Sequence, residues 1–520
     1  MYFFMVLRDD TIGQKMLIPT DLREIIPKDH PCYLVENIVD RISFDEIDNQ
    51  YRYTAGARAY SRKMLLRLVL MATFDGGLSG REIEGKTHTD LSYMYLAGMQ
   101  KPDFRTINRF KKDNKELIDK AFETTILVAE KKDLIKINHI AIDGTKIKAK
   151  TSINILTDKK QLELLRKIIE KSIELDEDEN EQLTDESGNK VPLDLTDKET
   201  FDKIYDMVKK ESKGDRNQDK LRLSSKRLIK QASKNPESAQ KVLKKINHID
   251  EELDKTQKSV ISVNDPESRW MLNKKGKWEF DYNYQIAVDD YKGFILSAEV
   301  YQNPTDHKML IPAIENVEHI FGPLHPGTQI SADNGYSTDE NTEYLEHKQL
   351  DGYISTRKLS RILKKYNIKE NPYSKDNFTY NHEKNEYICP LGQIMNLKGT
   401  YKNKKNSHKT VYWTKKCHDC QVKEICTTKN QYRTITDYGN PAKIRMQHKM
   451  DEKWAQEIYA QRSKTVEWPF GHLKRNIKMI EFNYTGIEMV NTEMKLHAIG
   501  HNLKRLYNEL NKTTKNQENT

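Results

Sequence analysis

Two apolar runs in this chain each deliver an aspartate with a glycine at or near the next position. They are His139-Ile-Ala-Ile-Asp143-Gly-Thr and Gln329-Ile-Ser-Ala-Asp333-Asn-Gly-Tyr336. A third segment, Thr465-Val-Glu467-Trp-Pro-Phe-Gly471, carries a glutamate on a helical stretch, with Lys474 and Lys478 beyond it. Three carboxylates far apart in sequence are what a two-metal phosphoryl-transfer site requires, because together they can hold a pair of Mg²⁺ or Mn²⁺ ions across a scissile phosphate. Taken singly, an Asp-Gly or Asp-Asn-Gly is a turn. Asp143 and Asp333 differ in that each ends an apolar strand instead of joining two hairpin arms. At 100° per residue, Lys474 and Lys478 fall within about 20° of the Glu467 face, a ridge suited to passing phosphates. Tyr459 and Arg462, about two turns upstream, are placed to contact phosphate, the arginine through a bidentate fork. Their structural alternatives are an aromatic anchor and a surface cation. Pro469 fits a first turn or marks a kink near Glu467. Asp306, in Thr305-Asp-His307, reads as a helix N-cap.

A second constellation is Cys389-Pro-Leu-Gly392, Cys417-His-Asp-Cys420 and Cys426. The Cys-x-x-Cys pair makes one knuckle, and Cys389 and Cys426 complete a tetrahedral Cys₄ shell for structural Zn²⁺. The alternative is four ordinary reduced thiols, with His408 and His418 as bystanders. Trp413 is an aromatic for packing such a domain or for stacking on an unpaired base. Cys32 stands apart.

These groups need elements to position them, and 520 residues imply two to four domains. Only 36% of residues are hydrophobic and 32% are charged, so part of the length is solvated helix or linker. The net charge of +9 is small against 87 basic and 78 acidic residues and points only weakly to a polyanionic partner. No apolar run reaches the length of a membrane span. Met1–Leu7 is too short for a signal-peptide core. Together with the cysteine usage, this gives a cytoplasmic, nucleoid-associated protein as the expectation.

Residues 1–130 read as a helical N-terminal DNA-binding domain. Ser79 and Glu82 form a capping box, and Asp103 caps Phe104–Lys112, where Phe104, Ile107 and Phe110 share a face while Arg105, Arg109, Lys111 and Lys112 point elsewhere. Two short helices before a basic one suit a helix-turn-helix reader; an amphipathic helix with a solvated basic face is the alternative. Strand patterns over 131–155 and 261–372 interleave with helices as in an α/β fold with an RNase H-like catalytic core, a mixed sheet flanked by helices. That layout sets Asp143 and Asp333 on adjacent strands. Residues 156–260 are charged with apolar stripes at helical spacing, a helical insertion with an acidic loop near 176–188. Residues 373–445 are the small Cys-rich insertion, and 446–512 the C-terminal helices of the core. Gly76, Gly77 and Gly80 lack the Gly-Lys-Ser/Thr of a phosphate loop, so no nucleotide cofactor is expected.

Asp143, Asp333 and Glu467, with the Tyr459…Arg462…Glu467…Lys474 arrangement, resemble the DDE transposases of bacterial insertion sequences, in the group whose third-carboxylate helix bears a Tyr-Arg-Glu-Lys signature. Arg81-Glu-Ile-Glu-Gly through Asn108-Arg-Phe-Lys and Ala332-Asp-Asn-Gly-Tyr-Ser337 share the likeness. The interval from Arg462 to Glu467 is one residue longer than in that pattern. The resemblance implies a transposase that binds terminal inverted repeats in double-stranded DNA, cleaves them, and transfers the strand to target DNA, with a homodimer in the synaptic complex. It also implies two divalent ions held by Asp143, Asp333 and Glu467. Two other readings stay open: an inactive, transposase-derived DNA-binding repressor, and an RNase H-like nuclease without strand transfer.

Overall fold

The computed structural model describes residues 21–44, 59–179, 195–211, 221–256, 258–273, 276–356, 372–381, 384–402, 408–427, 432–476 and 479–518. These fall into two compact units: one runs to Val128 and takes in the chain from Asn502, and the other is Ala129–His501.

The first unit is helical: α1 (Pro31–Asp40), α2 (Arg62–Phe74), α3 (Gly80–Thr89), α4 (Leu91–Leu96), α5 (Phe104–Asp113) and α6 (Lys115–Glu130). The run Met64–Leu70 makes α2 the central helix, and Leu66, Leu68, Val69 and Leu70 are all buried. Ser79 and Glu82 form the expected reciprocal cap on α3. Asp103 caps α5 by accepting from the Thr106 amide at 2.6 Å. Ile107 and Phe110 are buried, and Arg105 and Arg109 are exposed. Lys111 departs from expectation. It is buried, and its ammonium donates to the Leu78 carbonyl at 3.4 Å, because its long stem lies along the apolar side of the helix.

The second unit is built on a mixed sheet. Strand β1 (His139–Lys148) leads into β2 (Leu156–Thr157), which pairs antiparallel with β3 (Ile261–Ser262) and closes the neck of an insertion. The insertion holds α7 (Lys159–Glu179), α8 (Lys198–Glu211), α9 (Leu223–Ala232) and α10 (Pro236–Thr256). Its helical-period stripes meet in one core in which Leu165, Ile169, Ile204, Val208, Ile246 and Ile249 are buried. The acidic stretch remains helical to Glu179; its continuation to Gly188 lies outside the described residues.

Strands β4 (Arg269–Leu272), β5 (Trp278–Asp289) and β6 (Ile295–Tyr301) follow, then α11 (Leu310–Phe321), β7 (Gln329–Ala332), α12 (Asp339–His347) and β8 (Asp351–Ile354). The sheet order is β6-β5-β1-β7-β8, with β4 also on β5. β1 is antiparallel to β5 and parallel to β7, and β7 is parallel to β8. Two local readings are corrected here. Asp143 is not at a strand end: it lies within the ten residues of β1, because β5 keeps pairing with β1 as far as Lys148. Asp306 is not a helix cap either, since α11 begins after Met309 with no side-chain cap.

Beyond β8, β9 (Thr379–Asn381), β10 (Glu386–Ile388), β11 (Ile394–Lys402), β12 (His408–Trp413) and β13 (Thr434–Tyr438) form an antiparallel meander, with a single helical turn, α13 (Lys423–Cys426), before its last strand. Phe378, Tyr387, Met395, Tyr412 and Ile435 make its core, with Cys389 and Cys426 against it. The chain returns through α14 (Pro441–Lys449) and α15 (Lys453–Gly471) to α16 (Ile487–Glu518). Pro469 sits in the last turn of α15, directly before a π-helical turn at His472–Asn476. Among the described residues, no helix is long and apolar enough to cross a membrane.

Candidate active site

Register brings the two aspartates together. Ile142 of β1 pairs with Ala332 of β7, and β7 stops there, so Asp143 and Asp333 are the next residues on adjacent parallel strands. Each aspartate is fixed by a local amide: Asp143 Oδ1 accepts from Gly144 at 2.8 Å, and Asp333 Oδ1 from Gly335 at 2.7 Å. The second bond caps the short 3₁₀ turn Asn334–Tyr336, which ties the Asp-Asn-Gly-Tyr motif to the strand end.

Helix α15 crosses this sheet. Arg462 is 9% exposed and places Nη2 3.2 Å from Asp143 Oδ1. Burial works against its cation, but Asp143, Tyr459 and Asp333 outweigh that and hold it protonated. Its Nε is buried with no hydrogen-bond partner. Tyr459 is also buried, its ring centroid 5.7 Å from the guanidinium. Lys474 donates to Thr145 Oγ1 at 2.6 Å, one β-period beyond Asp143. Burial and the Asp143 and Asp306 charges raise the Asp333 carboxyl above the usual carboxylate range, against the pull of Arg462 and the Gly335 amide.

Tyr459, Arg462 and Lys474 therefore reach the strands that carry the two aspartates. Glu467 does not join them as placed. It lies five residues past Arg462, turned about 140° around the helix, and is exposed. Among the described residues, no group of three or more His, Cys, Asp or Glu side chains is arranged to hold a metal ion. The two aspartates still suit a divalent cation: they are adjacent carboxylates, partly buried, with the Arg462 guanidinium paired to Asp143. Lys478 lies outside the described residues.

Sequence reasoning missed the other side of this cluster. Asp306 Oδ1 accepts from Gln285 Nε2 at 2.7 Å and Asn283 Nδ2 at 2.9 Å. Tyr336, fully buried, donates its hydroxyl to Gln285 Oε1. The signal that was available is the alternation of the two amides Asn283 and Gln285 with Tyr282, Tyr284 and Ile286 along one strand.

The four cysteines of the meander line one small pocket together with Phe378, Pro390, Leu391 and Arg433. Cys389 Sγ accepts from the Gln393 amide at 3.3 Å in a tight turn where Gly392 has φ +76°. Burial raises the Cys417 and Cys426 thiols above their usual value, and the neighbouring sulfurs add to this. His418 turns to Asp419 and His408 to Asp339. Trp413 packs edge-on against Tyr432. Cys32 is buried in α1 of the other unit, its thiol pushed up to about 12 by burial.

Two family matches define the class. Residues 20–113 match a transposase domain (DUF772), and residues 388–507, which include the cysteines and α15, match a transposase DDE domain. More particularly, the two matches together support a DDE transposase of the insertion-sequence kind. That family generally uses divalent metals. No curated protein matches. Among solved structures, the synaptic complex of piggyBac transposase with hairpin DNA is similar at 9% identity and a TM-score of 0.32, over 94% of this chain and 76% of that one.

Proposed function

We propose that this transposase binds terminal inverted repeats as a homodimer and catalyses metal-dependent DNA cleavage and strand transfer on an RNase H-like core. The observation that carries the reading is the sheet order β6-β5-β1-β7-β8, which sets Asp143 and Asp333 side by side where β7 stops. An open sheet offers its ligand site at such a place. Asp143 and Asp333, with Glu467 moving in from α15, are the residues to hold the divalent ions. Those ions, when bound, supply an activated water or 3′-hydroxyl and charge neutralisation at the leaving oxygen. The chain's own part is positional. The Gly144 and Gly335 amides orient the aspartates, and Arg462, with an unused Nε donor, is the residue to clamp a phosphate once a cation takes over the charge of Asp143. Lys474 and Lys478 extend that surface along the DNA. Arg105 and Arg109, exposed on a capped helix, serve the N-terminal DNA-binding domain. The four cysteines share one pocket, the place for a structural zinc, but as they stand they are not arranged to hold the ion, so loading would have to draw the thiols together.

The exposed position of Glu467 favours one second reading, a DNA-binding derivative that has lost catalysis. Incubation of wild type and Asp143→Asn with repeat-end DNA, a target plasmid and Mg²⁺ or Mn²⁺ separates the two. Nicking at the repeat ends and joining to target by wild type alone is expected. Equal activity in both proteins removes Asp143 from the chemistry, and binding without nicking by wild type selects the second reading.

A further inference from the structure

We infer that Ser331, His139, Asp290 and Thr465 form a polar tether that sets helix α15, and with it Arg462, against the two strands carrying Asp143 and Asp333; this deepens the reading of that site and rests on it. Ala141 pairs with Ser331 on the adjacent parallel strands β1 and β7. Side chains alternate along a strand, so His139 and Ser331 share a face with Asp143 and Asp333. His139 Nε2 lies 2.9 Å from Ser331 Oγ, and His139 Nδ1 lies 3.5 Å from Asp290 Oδ2. Asp290, just beyond β5, accepts the hydroxyl of Thr465 on its other oxygen. Its own amide donates to the His139 carbonyl at 3.0 Å, which keeps the carboxylate beside the imidazole. A proton on Nδ1 faces Asp290 and leaves Nε2 to accept from Ser331, so one tautomer serves both contacts.

These groups lie deep: Ser331 is fully buried, and His139 and Thr465 are 5% and 8% exposed. Their chain neighbours Ile140, Ile330 and Val466 are apolar and buried. Apolar packing seats a helix without specifying its rotation, whereas a buried, connected set of directional bonds selects one setting. The Thr465 hydroxyl also lies 3.1 Å from the Gln461 carbonyl of its own helix, so Asp290 is its partner outside α15. One turn before Thr465, Arg462 meets Asp143 at 3.2 Å. Polar partners on the strands therefore hold α15 at two successive turns, and the tether fixes the rotation that aims Arg462. Misplacing a positioning group by about 1 Å can cost on the order of a hundredfold in rate.

The test compares single-turnover cleavage of repeat-end DNA in Mg²⁺ with affinity for the same DNA, using full-length variants. Thr465→Val, which nearly keeps the shape and removes the hydroxyl, is expected to slow cleavage about tenfold or more, with DNA affinity and Tm close to wild type. Thr465→Ser is expected to cleave at the wild-type rate. Ser331→Ala, at the other end of the tether, is expected to show a smaller loss of the same kind, and it decides the matter if Thr465→Val does not fold. Wild-type cleavage by Thr465→Val overturns the tether and leaves the site standing, as does a loss of rate that follows a loss of Tm or DNA affinity. Wild type that binds this DNA without nicking it removes the reading of the site, and the tether with it.

Discussion

Replacing Arg462 with methionine isolates the electrostatics of the site. Arg462 and Asp143 are 3.2 Å apart, with side chains 10% and 13% exposed. At an effective dielectric of about 20, a charge pair at that distance attracts by roughly 5 kcal/mol. Removing one partner of a buried pair costs about 3–5 kcal/mol because the other is left uncompensated. Asp333, already hard to ionise, would share the same loss of counter-charge. Urea unfolding in buffer without added divalent cation is expected to show a destabilisation in that range. Most of it should vanish in the Asp143→Asn background, where the pair no longer exists. Mn²⁺ should then raise the Tm of Arg462→Met more than that of wild type, since no guanidinium competes for the aspartates. A cost below about 1 kcal/mol, against the 3–5 expected for a buried pair, or an equal Mn²⁺ shift in both proteins, would refute the reasoning.

Two further outcomes follow from the same kind of accounting. Burial, with Glu279 adding to it and Lys146 and Lys148 opposing, raises the Asp281 carboxyl from 3.8 to about 6. The folded chain therefore binds this proton more tightly than the unfolded one, so its stability is greatest below the unfolded value and declines as pH rises to about 6. Asp281→Asn is expected to gain up to roughly 3 kcal/mol at pH 8 and little at pH 4, measured by chemical unfolding at both. A gain of equal size at both pH values would exclude this cause. In the meander, wild type is expected to carry one zinc per chain by elemental analysis, and Cys417→Ser or Cys426→Ser to lose it with a lower Tm; zinc-free wild type with an unchanged Tm would rule the metal out.

Local chemistry was legible in the sequence where a residue acts on its neighbours. The Ser79–Glu82 and Asp103 caps and the insertion stripes all form as their spacing implies. The adjacency of Asp143 and Asp333 was legible too, because two apolar runs and the elements between them restrict the strand order. Long-range side-chain geometry was not. Asp306 has the look of a cap, and only the fold shows Gln285 reaching across Gly144 to hold it. Lysine at 111 reads as solvated until its stem is seen along the core. The face of Glu467 depends on helix phase, and the π-helical turn after Pro469 disrupts the ridge that counting at 100° per residue would draw.

The neck of the helical insertion has a consequence for how such a chain can change. Leu156–Thr157 and Ile261–Ser262 leave the sheet as partners, and Thr151 bonds Ser262 between their hydroxyls at 2.6 Å. The bundle has its own apolar interior and is joined to the sheet by this neck and by the Arg269–Glu252 ion pair at 2.6 Å. Because closure entropy grows only with the logarithm of length, helices there can be gained, lost or exchanged while the register that seats Asp143 beside Asp333 is left undisturbed.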